Sequence, residues 1–326
     1  MLYRRKMVIN LVSMLGGEAS LVRIHKLLFL YSFKAVSPSY DFIPHKYGCY
    51  SFVLHDDIDA MVADGTLVRL GEESDSVFDS RIRQNWNGKV PEKMVLKHAD
   101  AIPLATIARN FGKMSDEELI DFTYHVRPFY CINSQMLDRF STDSELLSRI
   151  DRQRDKALSA ERGLYTIGYE GLSLDKFLKK LICNNIKYLI DVRKNPFSMR
   201  REFRKESLIN VLHKVGIEYV PMPEVGIPSA NRNDLIPSGR CDELFQWYRS
   251  SIIPGCFDSA RRVDSIVASG NAVLLCFEAN PEECHRLIFA NYCLEQFQSI
   301  GKIINIEERP VAKKNPDNCI NLSLPF

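Results

Sequence analysis

The residues best suited to chemistry are polar side chains that follow three strand-like segments. Tyr169 and Glu170 follow the first segment, Asp191 ends the second, and Glu278 follows a later one. Ligands bind where the carboxyl ends of parallel strands meet, so we expect these side chains at one cleft. A carboxylate pair such as Asp191 and Glu278 suits acid–base chemistry, a cationic sugar or a metal ion. For Asp191, pairing with Arg193 in a loop is an equal alternative.

A second reactive group, Cys284, His285 and Arg286, lies in the first turn of a predicted helix. Free backbone amides and the helix dipole favour a bound anion there and lower the pKa of a thiol. The alternative is that Cys284 fills the core and His285 lies on the helix surface. Because Cys276, Cys284 and His285 lack a fourth partner at a recognisable spacing, no metal site is predicted. No GxGxxG motif follows the first strand, so a dinucleotide cofactor is disfavoured. We expect no cofactor.

The segment of residues 193–205 is locally basic. Against the single acid Glu202 it contains six cations, namely Arg193, Lys194, Arg200, Arg201, Arg204 and Lys205. Phe197 and Phe203 lie among them, and cations interleaved with aromatic rings suit a phosphate backbone and stacked bases. The segment therefore predicts a nucleic-acid or nucleotide groove, with a solvated loop as the alternative.

The elements that must position these residues are short strands alternating with helices from Gly163 onward. The predicted strands are residues 164–168, 188–192, 218–221, 272–277 and 303–306. The predicted helices are residues 173–183, 205–215, 241–251, 257–268 and 281–297. Such alternation is typical of βαβ units. We therefore predict an α/β fold with a doubly wound, mostly parallel sheet, either flavodoxin-like or Rossmann-like.

The N-terminal part has a different, mainly helical pattern. Apolar residues recur at helical spacing over residues 7–15 and 21–31, with Ser20 as the predicted cap of the second helix. A third helix at about residues 51–64 and a strand-like stretch at 66–70 complete a winged-helix-like order. We predict a winged-helix-like domain over residues 1–99, a helical connector over 100–160 and the α/β domain over 161–326.

The composition is that of a folded protein with no membrane partner. Of 326 residues, 45% are hydrophobic and 26% are charged, and the formal net charge is +2. That charge is too small to predict nucleic-acid binding, so the local basic segment carries this inference. Nine cysteines without a CxxC pair argue against a disulfide framework or a zinc ribbon. The N-terminal apolar stretch is too short for a signal peptide, so a cytoplasmic location is expected.

The motifs at the predicted strand ends resemble a known family. They are IGYEG at 167–171, DVRxxP at 191–196, GIxY at 216–219 and CFExxPxxCHR at 276–286. In this order they resemble the family called domain of unknown function 488, over about residues 163–308. The resemblance implies a flavodoxin-like or Rossmann-like fold with a polar pocket. Its lining would be Tyr169, Glu170, Asp191, Arg193, Glu278, Cys284, His285 and Arg286.

The N-terminal part resembles the Panacea domain found in prokaryotic antitoxins and other defence-linked proteins. The resemblance is carried by HKLLF at 25–29 and HKYGCYS at 45–51. The family usually has proline where this chain has Cys49. It implies a defence-linked or regulatory role, whereas the alternative is that the aromatic residues of the second motif only hold helices together.

The leading hypothesis is an enzyme of phage defence or DNA repair that acts on nucleic acid, with DNA favoured. The reaction we expect is excision of a base by a DNA glycosylase, because a carboxylate can stabilise an oxocarbenium-like sugar and direct water. Glu278 or Asp191 would be the catalytic carboxylate. Predicted substrate contacts are Arg193, Arg200, Arg201 and Arg286 to phosphates, Tyr169 and His285 to the base, and Cys284 beside them.

Two other hypotheses remain open from the sequence. In the first, Asp191, Glu278 and Glu170 bind magnesium in a nuclease or phosphodiesterase. In the second, the protein is an antitoxin-like module that binds nucleic acid or protein without catalysis. The sequence alone does not identify the base, the choice between DNA, RNA and a free nucleotide, or the oligomeric state.

Overall fold

A computed structural model describes residues 1–71, 80–140, 143–228, 230–231 and 241–306. The last residues of the family resemblance, 307 and 308, lie outside these ranges. The chain divides into two compact units, Met1–Lys156 and Ala157–Phe326, so most of the predicted connector lies within the first unit. Among the described helices, none has the length and apolar character needed to cross a membrane.

The first unit is mainly helical. Its helices are α1 Tyr3–Met14, α2 Leu21–Ser32, α3 Phe52–Ala63, α4 His98–Phe111, α5 Asp116–Val126, α6 Leu137–Phe140 and α7 Ser144–Leu158, whose last residues reach the second unit. Its strands are β1 Glu18–Ser20, β2 Ile43–His45, β3 Gly48–Tyr50, β4 Leu67–Leu70 and β5 Arg81–Gln84. Strands β1, β5 and β4 form an antiparallel sheet in that order, and β2 pairs with β3. The order of α1 to β5 is winged-helix-like, with the β2–β3 pair inserted between α2 and α3.

Serine caps set where helices of the first unit begin. The Ser20 hydroxyl accepts a hydrogen bond from the Arg23 amide at 3.1 Å, which confirms the predicted cap of α2. Ser115 and Glu118 form a capping box at the start of α5. Both caps satisfy amide groups that have no partner within the helix.

The second unit is an α/β fold, which confirms the predicted fold class. Its helices are α8 Leu174–Cys183, α9 Lys205–Lys214, α10 Cys241–Ser251, α11 Phe257–Ser269 and α12 His285–Gln296. Its strands are β6 Leu164–Gly168, β7 Ile186–Asp191, β8 Glu218–Pro221, β9 Asn271–Cys276 and β10 Ile303–Asn305. They form one parallel sheet in the order β10-β6-β9-β7-β8.

The central strand β9 brings the carboxyl ends of β6 and β7 to one edge of the sheet. Gly168 pairs with Cys276, and Asp191 pairs with Leu275. The last major helix begins at His285, not at residue 281, because Cys284 has an extended backbone and residues 281–283 form a short 3-10 turn. Cys284 is therefore the N-cap of α12, and His285 is its first residue.

Candidate functional site

Asp191 is the last residue of strand β7 and forms an ion pair with Arg193. Its Oδ1 accepts from Arg193 Nε at 2.8 Å, and its Oδ2 accepts from Arg193 Nη2 at 2.6 Å. The Tyr219 hydroxyl on the neighbouring strand β8 donates to the same Oδ2 at 2.7 Å. Both members of the pair are buried. Burial and the Asp191 carboxylate raise the pKa of Tyr219, so its hydroxyl stays protonated as a donor.

Tyr169 forms a wall of the site beside this pair. Its ring stacks on Phe203 with centroids 4.3 Å apart, and its hydroxyl accepts from Arg193 Nη1 at 3.2 Å. The same guanidinium donates to the Phe203 carbonyl at 3.0 Å. Since Tyr169 is only 3% exposed, its ring supports the basic segment and does not offer a free face to a base.

Glu278 is the half-buried carboxylate of the site. It follows β9, and its Oε2 accepts hydrogen bonds from the thiols of Cys276 at 3.1 Å and Cys284 at 2.9 Å. Both cysteines are buried. Burial raises the pKa of the Cys284 thiol well above its ordinary value, against the lowering that a helix N-terminus alone predicts.

His285 is buried beside the two thiols. Its Nε2 lies 3.1 Å from the Val192 carbonyl oxygen, which can only accept, so Nε2 carries a proton. Its Nδ1 lies 3.9 Å from the sulfurs of both Cys276 and Cys284. The ligand atoms of these three residues lie within 4.8 Å of one another, close enough to hold a metal ion. The sequence offered the same three residues, but no metal site was predicted because a fourth partner was lacking; the structure brings Cys276 to the other two through the sheet.

Arg286 and Glu170 fix the backbone that carries Glu278. The buried Arg286 donates to the Glu278 carbonyl at 2.6 Å and to the Ala279 carbonyl at 3.1 Å. The exposed Glu170 accepts from the Ala279 amide at 3.0 Å. Arg286 was predicted to contact phosphate; here it holds the loop after β9, and Glu170 does the same from the end of β6.

The basic segment lies next to this site and presents cations and the ring of Phe197 to solvent, whereas the ring of Phe203 is buried. Arg200 pairs with Glu202 at 2.7 Å and donates to the Leu172 carbonyl at 2.5 Å, so it ties the segment to the loop after β6. Arg201 is exposed, and the Arg204 guanidinium lies 4.8 Å from the ring centre of Phe197. Phe197 itself is 68% exposed.

Sequence reasoning missed two residues of the site. Tyr219, which donates to Asp191, lies in the GIxY motif, and its place on a strand next to β7 was the available signal. Phe277 was predicted to end a buried strand, but β9 ends at Cys276 and leaves the Phe277 ring 43% exposed. Its ring packs edge-on against Tyr169 with centroids 5.4 Å apart.

A comparison with curated proteins gave no match. The resemblance of the N-terminal part to the Panacea domain stays a prediction. A scan of family models matched the C-terminal half over residues 173–293. The matched region contains Asp191, Arg193, Glu278 and the Cys284-His285-Arg286 group, whereas the IGYEG segment precedes it. Residues 173–293 thus match the family described as Domain of unknown function DUF488, as the C-terminal motifs predicted.

Proposed function

We propose that the C-terminal unit is a hydrolase that excises bases from nucleic acid, with Glu278 as its catalytic carboxylate. The observation that carries this proposal is the contrast among the three candidate acids. Asp191 is buried in an ion pair with Arg193. Glu170 is exposed and bound to a backbone amide. Glu278 alone of the three is half-buried, two residues after the central strand, where its Oε2 accepts from the thiols of Cys276 and Cys284.

In the proposed reaction, Glu278 directs water to C1′ of the sugar. The water oxygen bonds to C1′ as the bond from C1′ to the base nitrogen breaks. One water proton passes to Glu278, the leaving base takes up a proton from solvent, and Glu278 then returns its proton to solvent. A carboxylate in a partly desolvated site also stabilises the positive charge that develops on the sugar.

The surroundings of Glu278 provide surfaces for the base and for the flanking phosphates. The neighbouring Phe277 ring is exposed and suits stacking of an extruded base, a role that the buried ring of Tyr169 leaves open. Arg201 and Lys194 are exposed cations of the basic segment and suit phosphates. Arg193 and Arg286, which hold Asp191 and the Glu278 backbone, act as positioning residues.

The magnesium-nuclease hypothesis receives less support from the same geometry. It requires oxygens of Asp191 and Glu278 at one ion, but both Asp191 oxygens accept hydrogen bonds from Arg193. The metal-capable cluster among the described residues contains two sulfurs and an imidazole, which are poor ligands for magnesium.

The test uses the full-length protein and plain or base-modified phage DNA, with magnesium added or omitted. Free bases are measured by chromatography, and strand breaks are measured before and after mild alkali. The key variant is Glu278→Gln, whose amide oxygen can still accept from the thiols. The matched control is Glu282→Gln, which alters an exposed carboxylate four residues away.

Base release with alkali-dependent breaks is the expected result for the wild type and for Glu282→Gln, with at least a hundredfold loss in Glu278→Gln. That loss corresponds to about 2.7 kcal/mol of transition-state stabilisation. Direct breaks that require magnesium would overturn the proposal in favour of a nuclease. DNA binding without any product would overturn it in favour of the non-enzymatic module.

A further inference from the structure

We propose that Cys276, Cys284 and His285 form a zinc-binding site with one open coordination position. The three ligand atoms come from two elements that the sheet brings together. Cys276 ends the central strand β9, whereas Cys284 and His285 begin α12. Their ligand atoms lie within 4.8 Å of one another, and all three residues are buried. The inference about zinc does not depend on the proposed base excision.

The orientation of His285 favours a metal at this point. The Val192 carbonyl fixes the proton on Nε2, so in the neutral ring the Nδ1 lone pair points to the side where both sulfurs lie. Histidine ligands of metals usually donate their other N–H to a carboxylate or a backbone carbonyl, which sets the tautomer and the ring orientation. Val192 supplies that contact from the end of β7.

The spacing and the chemistry of the donor atoms suit zinc. With Zn–S bonds of about 2.3 Å and Zn–N bonds of about 2.0 Å, tetrahedral geometry places sulfur about 3.5 Å from nitrogen. The two Sγ to Nδ1 separations are 3.9 Å, so each would shorten by roughly 0.4 Å, and the two sulfurs, which lie within 4.8 Å of each other, would come to about 3.8 Å. Two thiolates and an imidazole select a borderline-soft ion such as zinc over magnesium or calcium.

The local charge is compatible with two thiolates. Arg286, two residues after Cys284, is buried, and its guanidinium contacts the neutral carbonyls of Glu278 and Ala279. Within the described residues, no carboxylate forms an ion pair with it. Its positive charge therefore favours anionic sulfur nearby.

Metal entry changes the partner of Glu278. When zinc binds, the two thiols release their protons to solvent, and two Zn–S bonds and one Zn–N bond form. No oxidation state changes. The thiol hydrogen bonds at 2.9 and 3.1 Å that hold Glu278 Oε2 are then lost. Glu278 Oε2 would then be able to accept a proton from a water molecule in the open zinc position. That use of the water, unlike zinc binding itself, rests on the proposed function.

The experiment measures zinc in reduced, full-length protein reconstituted with zinc sulfate and freed of excess metal. Variants Cys284→Ser and His285→Gln each remove one ligand. Cys293→Ala is the matched control, because Cys293 is also buried on α12 but lies outside the cluster. Cobalt(II) substitution of the wild type provides a second measurement that needs no variant, since thiolate-to-cobalt charge transfer reports sulfur ligands.

We expect about one zinc ion per chain in the wild type and in Cys293→Ala, a loss of at least fivefold in both ligand variants, and a cobalt spectrum of two thiolates. A wild type without zinc, or ligand variants that retain wild-type zinc, would overturn the inference. So would a cobalt complex without charge-transfer bands. Zinc binding without base release would refute only the proposed function, whereas a wild type that releases bases but binds no zinc on reconstitution would refute only the metal site.

Discussion

Gly168 and Glu278 approach each other so closely that no side chain fits between them. A Cβ atom added to Gly168 would lie 1.8 Å from the Glu278 carbonyl oxygen and 3.1 Å from the Ala279 Cα. Gly168 is the last residue of β6, and Glu278 follows β9, the strand that pairs with β6. This contact therefore fixes the distance between the end of β6 and the loop that carries Glu278. Packing against the loop that carries the candidate catalytic carboxylate therefore explains the first glycine of the IGYEG motif, Gly168.

The variant Gly168→Ala should displace the Glu278 loop. We expect a loss of about 1–3 kcal/mol in the free energy of unfolding, as for other overpacked sites, and a loss of base release larger than this destabilisation explains. The measurements are urea unfolding and base release. Gly255→Ala is the control, because a Cβ there meets no atom within 4 Å. Equal behaviour of the two variants would contradict the close contact.

The Asp191–Arg193 pair gives a second prediction, on stability. Asp191→Asn leaves a buried guanidinium without its charge partner, so we expect it to destabilise the C-terminal unit by about 3–5 kcal/mol. Tyr219→Phe removes one hydrogen bond to the same carboxylate and should cost about 1.5–3 kcal/mol. Urea unfolding of the two variants measures both. If Asp191→Asn abolished base release without loss of stability, Asp191 and not Glu278 would be the catalytic carboxylate.

The strands of the α/β unit were predictable because their patterns are strong. Residues 164–168 and 218–221 were predicted with the observed ends, since glycine or a helix boundary flanks each run. By contrast, β5 at Arg81–Gln84 has one buried residue, Ile82, between two arginines, so hydrophobic periodicity gives no signal. Its pairing with β1 and β4 is a tertiary effect.

The chain positions of the site were predictable, but the roles of its residues were not. Parallel-strand geometry places Asp191 and Glu278 near one edge, whichever partners they take. The sequence left pairing and catalysis equal for Asp191, and only the distances to Arg193 show the ion pair. The cluster around His285 shows the same limit, because the sequence offered Cys276, Cys284 and His285 as a set but did not show that the sheet brings their ligand atoms within 4.8 Å of one another.

The exposed cation Arg201 gives a prediction on salt dependence. A plot of the logarithm of the binding constant against the logarithm of the salt concentration has a negative slope. If Arg201 contacts phosphate, Arg201→Ala should reduce the magnitude of that slope by roughly 0.9 for duplex DNA, or 0.7 for single strands. Binding is measured by fluorescence anisotropy over a series of salt concentrations. Arg262→Ala is the control, because Arg262 is an exposed cation on α11, outside the basic segment. An unchanged slope for Arg201→Ala would remove this residue from the interface.

His25 in the first unit is a buried histidine at the start of the HKLLF motif. Its ring stacks on Tyr50 with centroids 4.7 Å apart, and its nitrogens lie 2.9 Å from the Leu21 carbonyl and 3.3 Å from the Ser51 carbonyl. Burial, with smaller contributions from His55 and Lys26, lowers its pKa from 6.5 to about 3. The folded unit therefore keeps His25 neutral at pH values where the unfolded chain binds a proton.

This difference predicts that acid destabilises the first unit through His25. The pKa is lower in the folded state, so the unfolded state binds the extra proton between about pH 6.5 and 3, and stability falls as the pH decreases through that window. Between pH 7 and 5 the loss attributable to His25 should be about 2 kcal/mol. Urea unfolding at both pH values should therefore show a steeper fall for the wild type than for His25→Phe, which cannot titrate. Equal falls would mean that the folded protein holds a charged imidazolium, with the Leu21 and Ser51 carbonyls both accepting its protons.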